Sequence, residues 1–173
     1  MHPPFFTFRG FTMRSKRVRQ SFFVILIVLI LFTVSFILYQ SCLPPIESDE
    51  KSDQVKGFFV TLFGGENTLL GAFFFKYVRK IAHFVEFFVL GAECTALILI
   101  KKSGFPLCVL PFGFAVGSLD ETIQHFTGRG PSFRDVCLDF FGFFMATVFI
   151  YAINLLILRA IQSKKIRKEK EYV

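Results

Sequence analysis

The chain has 173 residues, 53% of them hydrophobic, with 27 Phe and no Trp. Only 19% are charged, against about 25% in soluble domains, and a soluble fold of this size has no interior for so much Phe. These figures exclude an ordinary soluble enzyme and point to an integral membrane protein, all-α because only helices satisfy the backbone in apolar spans of this kind. The net charge of +7 then reads as orientation and attraction to anionic lipid, so nucleic acid is not an expected partner.

Residues 1–20 form a basic segment with Arg9, Arg14, Lys16, Arg17 and Arg19 and no acid. Ser21–Tyr39 follows, nineteen residues without a charge, close to the roughly 20 that a spanning helix needs. A basic stretch before an apolar one also describes a signal peptide. Here the apolar run is long for that role, and no A-x-A site follows it. Cys42 in YQSC suggests lipoprotein processing, yet Tyr39 stands where such a site normally has Leu. The expectation is an uncleaved first span over 21–39.

Residues 40–78 read as an outer loop. It opens with SCLPPIESDEKSDQ, which has turn and solvent composition. GFFVTLFGGENTLLGAFFF then suggests a short interfacial helix broken by Gly64-Gly65 and Glu66-Asn67.

Residues 79–158 hold three further apolar blocks. Ile81–Ile100 is interrupted by His83, Glu86 and Glu93, and Val136–Leu158 carries one charge, Asp139. Phe105–Leu119 has fifteen residues, which reach only about 22 Å as helix. It must either continue as helix through Asp120 and Gln124 or dip into the membrane without crossing. Residues 159–173 are a basic tail. Four crossings put thirteen of the twenty Lys and Arg on one side, including both termini. By the positive-inside rule that side is cytoplasmic.

The four cysteines suggest little beyond a permitted pairing of Cys42 with Cys137, and there is no C-x-x-C, P-loop, G-x-S-x-G or G-x-G-x-x-G.

With this topology the polar residues gather at the outer ends of helices 2–4. Arg79, His83 and Glu86 are spaced four and three apart, on one helix face, with Lys80 beside them. Asp120 and Gln124 are four apart, with Glu121 adjacent. Gly113 and Gly117 on that same face form a G-x-x-x-G, a spacing that lets helices approach closely in lipid. Asp135, Asp139, Gly142 and Ala146 make a polar-then-small stripe on the last helix, and the turn TGRGPSFRD adds Arg129 and Arg134, with glycines able to expose backbone N–H groups. Glu93 is separate, near the middle of its helix, where packing and hydrogen bonding are its expected role.

RKIAHFVEFFVLG, followed by DETIQHFTGRGPSFRDVCLDFFG, resembles the VanZ-like membrane proteins. The residues that carry the resemblance are Arg79, Lys80, His83, Phe84, Glu86, Gly91, Asp120, Glu121, Gln124, Gly128, Arg129, Asp135 and Gly142, within about residues 76–146. Asp139 stands where Asn is common in that family, and Glu93 lies in a usually apolar stretch. The resemblance implies a small multi-span protein of the bacterial cell membrane. The family takes its name from a member associated with resistance to the glycopeptide teicoplanin.

Three functional readings compete with plain helix-to-helix packing. In the first, Arg79, Lys80, Arg129 and Arg134, with Gln124, Asp135 and Asp139, bind an anionic lipid headgroup or a lipid-linked cell-wall precursor. In the second, His83 with Glu86, and Asp120 with Glu121, act as acid and base in hydrolysis or transfer. Asp, Glu and His together would equally suit a divalent metal. A carrier using Glu86 and Glu93 is the third, and four spans are few for that unless the protein is a homodimer. Spacing does not decide between binding and turnover.

Overall fold

In a bilayer core each backbone N–H and C=O must find its partner within the protein, so an apolar chain crosses as helix. The computed structural model describes residues 16–62, 68–101, 106–130 and 132–171, and among them the regular structure is entirely helical. Helix α1 spans Lys16–Ser41, α2 Pro45–Leu62, α3 Leu69–Lys101, α4 Leu110–Phe126 and α5 Phe133–Glu171. A 3-10 turn, Pro106–Val109, leads into α4. Among the described residues, four stretches are long and apolar enough to cross a membrane: Arg17–Ser41, Lys76–Lys101, Pro106–Phe126 and Phe133–Lys164. The protein is therefore multi-pass.

The short third block continues as helix. The 3-10 turn and α4 run without a break to Phe126, so Asp120 and Gln124 belong to the span. The segment expected as an outer loop differs more. Residues 45–62 are helical and 69–78 already belong to α3. Pro45 sits at the first helical position, where its missing N–H costs nothing, and the polar run that reads as turn is compatible with a solvated helix face. The Gly64-Gly65 and Glu66-Asn67 breaks lie outside the described residues.

Helix α3 is the hub, packed against α1, α2 and α5, while α4 packs on α5 and α1. Side-chain partners give the directions. Thr33 and Gln40 of α1 meet Glu93 and Glu86 of α3, an antiparallel register. The rings of Phe84 and Phe88 of α3 meet those of Phe141 and Phe149 of α5 at a tilt, in a parallel register. Ile37, Phe87, Leu90, Cys94, Val109, Val116 and Phe143 form the shared core. Val28, Leu31, Phe32, Phe149 and Leu156 are exposed on the outside of the bundle, the surface that lipid would cover. The four cysteines are free thiols, Cys42 and Cys137 included.

Helices α3 and α5 cross with their backbones in contact. A Cβ on Gly91 would lie 2.5 Å from the Phe143 carbonyl oxygen, and one on Gly142 would lie 2.6 Å from that of Phe84. No side chain fits either place without parting the helices. Gly91→Val is expected to destabilise by about 1–3 kcal/mol through such overpacking, read as a lower unfolding temperature in detergent. Gly57→Ala in α2, where an added Cβ meets nothing within 4 Å, is expected to stabilise by roughly 0.5–1 kcal/mol. Equal unfolding temperatures for Gly91→Val and wild type would refute the close crossing.

Candidate functional site

The end of the bundle where α1 and α4 finish and α5 begins is its polar end. There α4 closes in a Schellman motif: Gly128 takes the left-handed conformation (φ 80°), its N–H donates to the His125 carbonyl, and the Arg129 N–H donates to that of Gln124. This turn is fastened to α1. The Arg129 guanidinium donates to the Gln40 carbonyl at 3.0 Å and the Thr127 hydroxyl to the Ser41 carbonyl at 3.2 Å. A cation at the carbonyl end of a helix is favourably placed in its dipole, and Arg129 is buried there. The N–H groups of Gly128 and Arg129 are thus occupied within the turn rather than offered to a ligand.

Below the turn, Asp120 is fully buried. Its carboxylate accepts from the Ser41 hydroxyl through Oδ1 and from Gln124 Nε2 at 2.8 Å through Oδ2. His83 Nδ1 lies 3.7 Å from Asp120 Oδ2 and 3.7 Å from Asp139 Oδ1. Asp139 is also fully buried, and among the described residues neither of its carboxylate oxygens has a hydrogen-bond partner. His83, Asp120 and Asp139 each offer one ligand atom within 4.8 Å of the others. Glu86, one turn below His83, accepts from Gln40 Nε2 at 2.9 Å.

Two cavities open beside this cluster. The larger, about 540 Å³, is lined by Lys56, Lys76, Arg79, Lys80, His83, Gln124, Arg129 and Asp135, with Gly128 and Gly130 at its rim. The smaller, about 120 Å³, is lined by Gln40, Ser41, Ser52, Arg79, His83, Glu86 and Arg129. Arg79, His83 and Arg129 line both. Lys80 also reaches Asp135 at 3.9 Å.

Two of the residues expected at the site stand elsewhere. Neighbours on a helix point about 100° apart, so Glu121 departs from Asp120. It is buried on the other side of α4, where its carboxylate accepts from the Ser132 N–H at the start of α5. It lines a separate cavity of about 370 Å³ with Ser118, Thr122, His125 and Phe133. Asp120 and Glu121 therefore do not face His83 together. Arg134 is exposed and lines neither cavity that His83 lines, because the first turn of α5 directs Asp135 inward in its place. Glu93 accepts from the Thr33 hydroxyl at 3.1 Å, far along the helix from the cluster.

Other site residues carried little signal in sequence. Gln40 and Ser41 stand where the first apolar run stops, and that polar pair was their only mark. Ser52, Lys56 and Lys76 fall in the segment whose composition reads as loop.

Comparison with curated proteins and with solved structures gave no match. Residues 11–157 match the family model described as VanZ/LLP1, a stretch that takes in α1 through most of α5 and every residue of the polar cluster. The chain belongs to the VanZ/LLP1 family.

Proposed function

We propose that this protein recognises an anionic, phosphate-bearing lipid headgroup at the outer leaflet of a bacterial cell membrane, a lipid-linked cell-wall precursor being the leading candidate. One observation carries the reading. Among the described residues, the larger cavity is lined by five cationic side chains, of which Lys56 is ion-paired with Asp53 and Lys80 lies near Asp135, the one carboxylate in that lining, at the level where the spans end. Its volume lies within the range of ordinary ligand sites, roughly 300–1,000 Å³. Arg79 and Arg129 suit two-point recognition of a phosphate, and Lys76 and Lys80 add charge at its edge. Occupying such a precursor would alter how a glycopeptide reaches its target, which connects the reading to teicoplanin susceptibility. A membrane-embedded hydrolase or transferase acting on the same headgroup is the second reading, favoured by His83 lying between the cavities and the two buried aspartates.

Capture of phosphatidylglycerol over phosphatidylcholine, measured by native mass spectrometry, tests the binding reading. Arg129→Gln is expected to lower anionic-lipid affinity by about tenfold or more, the worth of a charge-assisted hydrogen bond. Because Arg129 also holds α1, the double variant Lys76→Gln with Lys80→Gln provides a surface-exposed check and should weaken capture in a salt-dependent way. Lys164→Gln, at the far end of α5, should not change it. Equal capture by all of these proteins would refute the site.

The sidedness has its own test. In a background with the four cysteines replaced by serine, Gly130→Cys should react with an impermeant thiol reagent in intact cells and Ser163→Cys should not. The reverse pattern would place the cavity on the cytoplasmic side.

Glu121 separates positioning from chemistry. Glu121→Gln is expected to cost about 1–3 kcal/mol of stability through its bond to the start of α5 while leaving lipid capture unchanged. Loss of turnover on a headgroup substrate, at wild-type stability, would return Glu121 to the catalytic reading.

A further inference from the structure

We propose that His83, Asp120 and Asp139 form a binding site for one first-row divalent cation, with Zn2+ the ion their donors fit. The inference stands on this triad and does not depend on the headgroup reading.

Two carboxylates with no exposed surface face one imidazole nitrogen. Burying a carboxylate without a counter-charge is costly, by several kcal/mol even after relaxation. Asp120 has its Ser41 and Gln124 donors, whereas Asp139 has none for either oxygen. The nearest basic group to both is His83 Nδ1, itself buried and without a hydrogen-bond partner.

The spacing argues against a direct bond as the resolution. An N–H···O bond needs about 2.7–3.2 Å between heavy atoms, and both separations are 3.7 Å. Around a tetrahedral ion with bonds near 2.0–2.1 Å, ligand atoms sit about 3.3 Å from one another. The imidazole nitrogen is thus too far from either oxygen to bond it directly. An ion would be enclosed by drawing those two separations in by about 0.4 Å, together with the two carboxylate oxygens, which lie within 4.8 Å of each other. Within the triad itself the charge also closes: a divalent cation with a neutral imidazole balances two aspartates, with Arg129 and Glu86 as the charged groups beside it.

The donor set selects the ion. One imidazole nitrogen and two carboxylate oxygens suit Zn2+, with Mn2+ as the oxygen-tolerant second choice. Ca2+ demands six to eight oxygens and Mg2+ keeps most of its water, and three ligands in a buried floor suit neither. The bonds from Ser41 and Gln124 to Asp120 are the outer contacts that orient a ligand carboxylate. Three protein ligands leave an open position, and His83 lines both cavities. An oxygen of a bound phosphate could take that position, a clause that does rest on the headgroup reading.

The test uses the full chain in detergent, with a histidine-free tag, Cys42, Cys108 and Cys137 changed to Ser, and metal removed by chelation. Zn2+ and Mn2+ are titrated by calorimetry, with bound metal counted by elemental mass spectrometry. One Zn2+ per chain is expected, with at least a hundredfold loss of affinity in His83→Ala and in Asp139→Asn. Asp139→Asn keeps the shape and removes a buried charge, so it should fold at least as well without metal. Zn2+ should raise the unfolding temperature of the parent protein and not that of Asp139→Asn. No uptake by the parent, or equal uptake by both variants, overturns the site and assigns the gap to water. Zn2+ uptake without anionic-lipid capture would sink the headgroup reading alone, and lipid capture without uptake would sink the metal site alone.

Discussion

Backbone contact between α3 and α5 is the constraint from which the site follows. With Gly91 against the Phe143 carbonyl and Gly142 against that of Phe84, the two helices are about as close as helices can be. Asp139 lies three residues before Gly142, and His83 directly precedes Phe84. The crossing therefore brings an imidazole and a carboxylate from different spans within 3.7 Å. In lipid no hydrophobic force drives helices together, since acyl chains are as apolar as leucine, so such packing has to supply the association. Phe143 completes it from above: its ring lies where a Cβ on Gly113 would stand, 2.6 Å from the nearest ring carbon, which draws α4 into the same contact.

Once these helices are close, the polar groups at their ends have few options, because an unpartnered group in a low-dielectric interior is expensive. Most are tied by bonds that cross between helices. Gln40 serves Glu86 through its side chain and Arg129 through its carbonyl, and Ser41 serves Asp120 and Thr127 in the same two ways. Two consecutive residues at the end of α1 thus join α3, α4 and the turn after α4. Helix α1 is not a mere anchor, then. It closes the wall of the smaller cavity and holds Arg129, one of the two arginines that line both cavities.

Much of this was legible from the chain alone, for physical reasons. Uncharged runs of about twenty residues leave little choice but spanning helices. The i, i+3 and i, i+4 spacings of Arg79, His83 and Glu86, and of Asp120 and Gln124, are geometric statements about a helix face, and five of these residues do sit together at the site. Glu121 shows where spacing fails. Adjacency in sequence to Asp120 suggested a shared task, whereas a helix separates consecutive side chains by about 100°. Arg134 shows the same for α5, since only the docking of its first turn decides whether Arg134 or Asp135 turns inward. Helix α2 was hidden for a different reason: its polar, proline-led sequence has the composition of a turn, and its packing on α3 comes from tertiary contact that local pattern does not encode.

The unbroken length of α5 has a mechanical consequence. Its 39 residues contain no proline and extend about 58 Å, nearly twice the thickness of a hydrocarbon core. Asp135 and Asp139 ride on its first two turns, and its basic end emerges beyond the opposite face of the bundle. Such a rod acts as a lever whose pivot is the tight crossing at Gly142. About 22 residues lie between Gly142 and Lys164 at the long end, so a tilt of 5° about the pivot would sweep that end by about 3 Å. Any displacement of the aspartates is therefore magnified at the far membrane surface, where the helix presents Lys164 and Arg167 to whatever lies there.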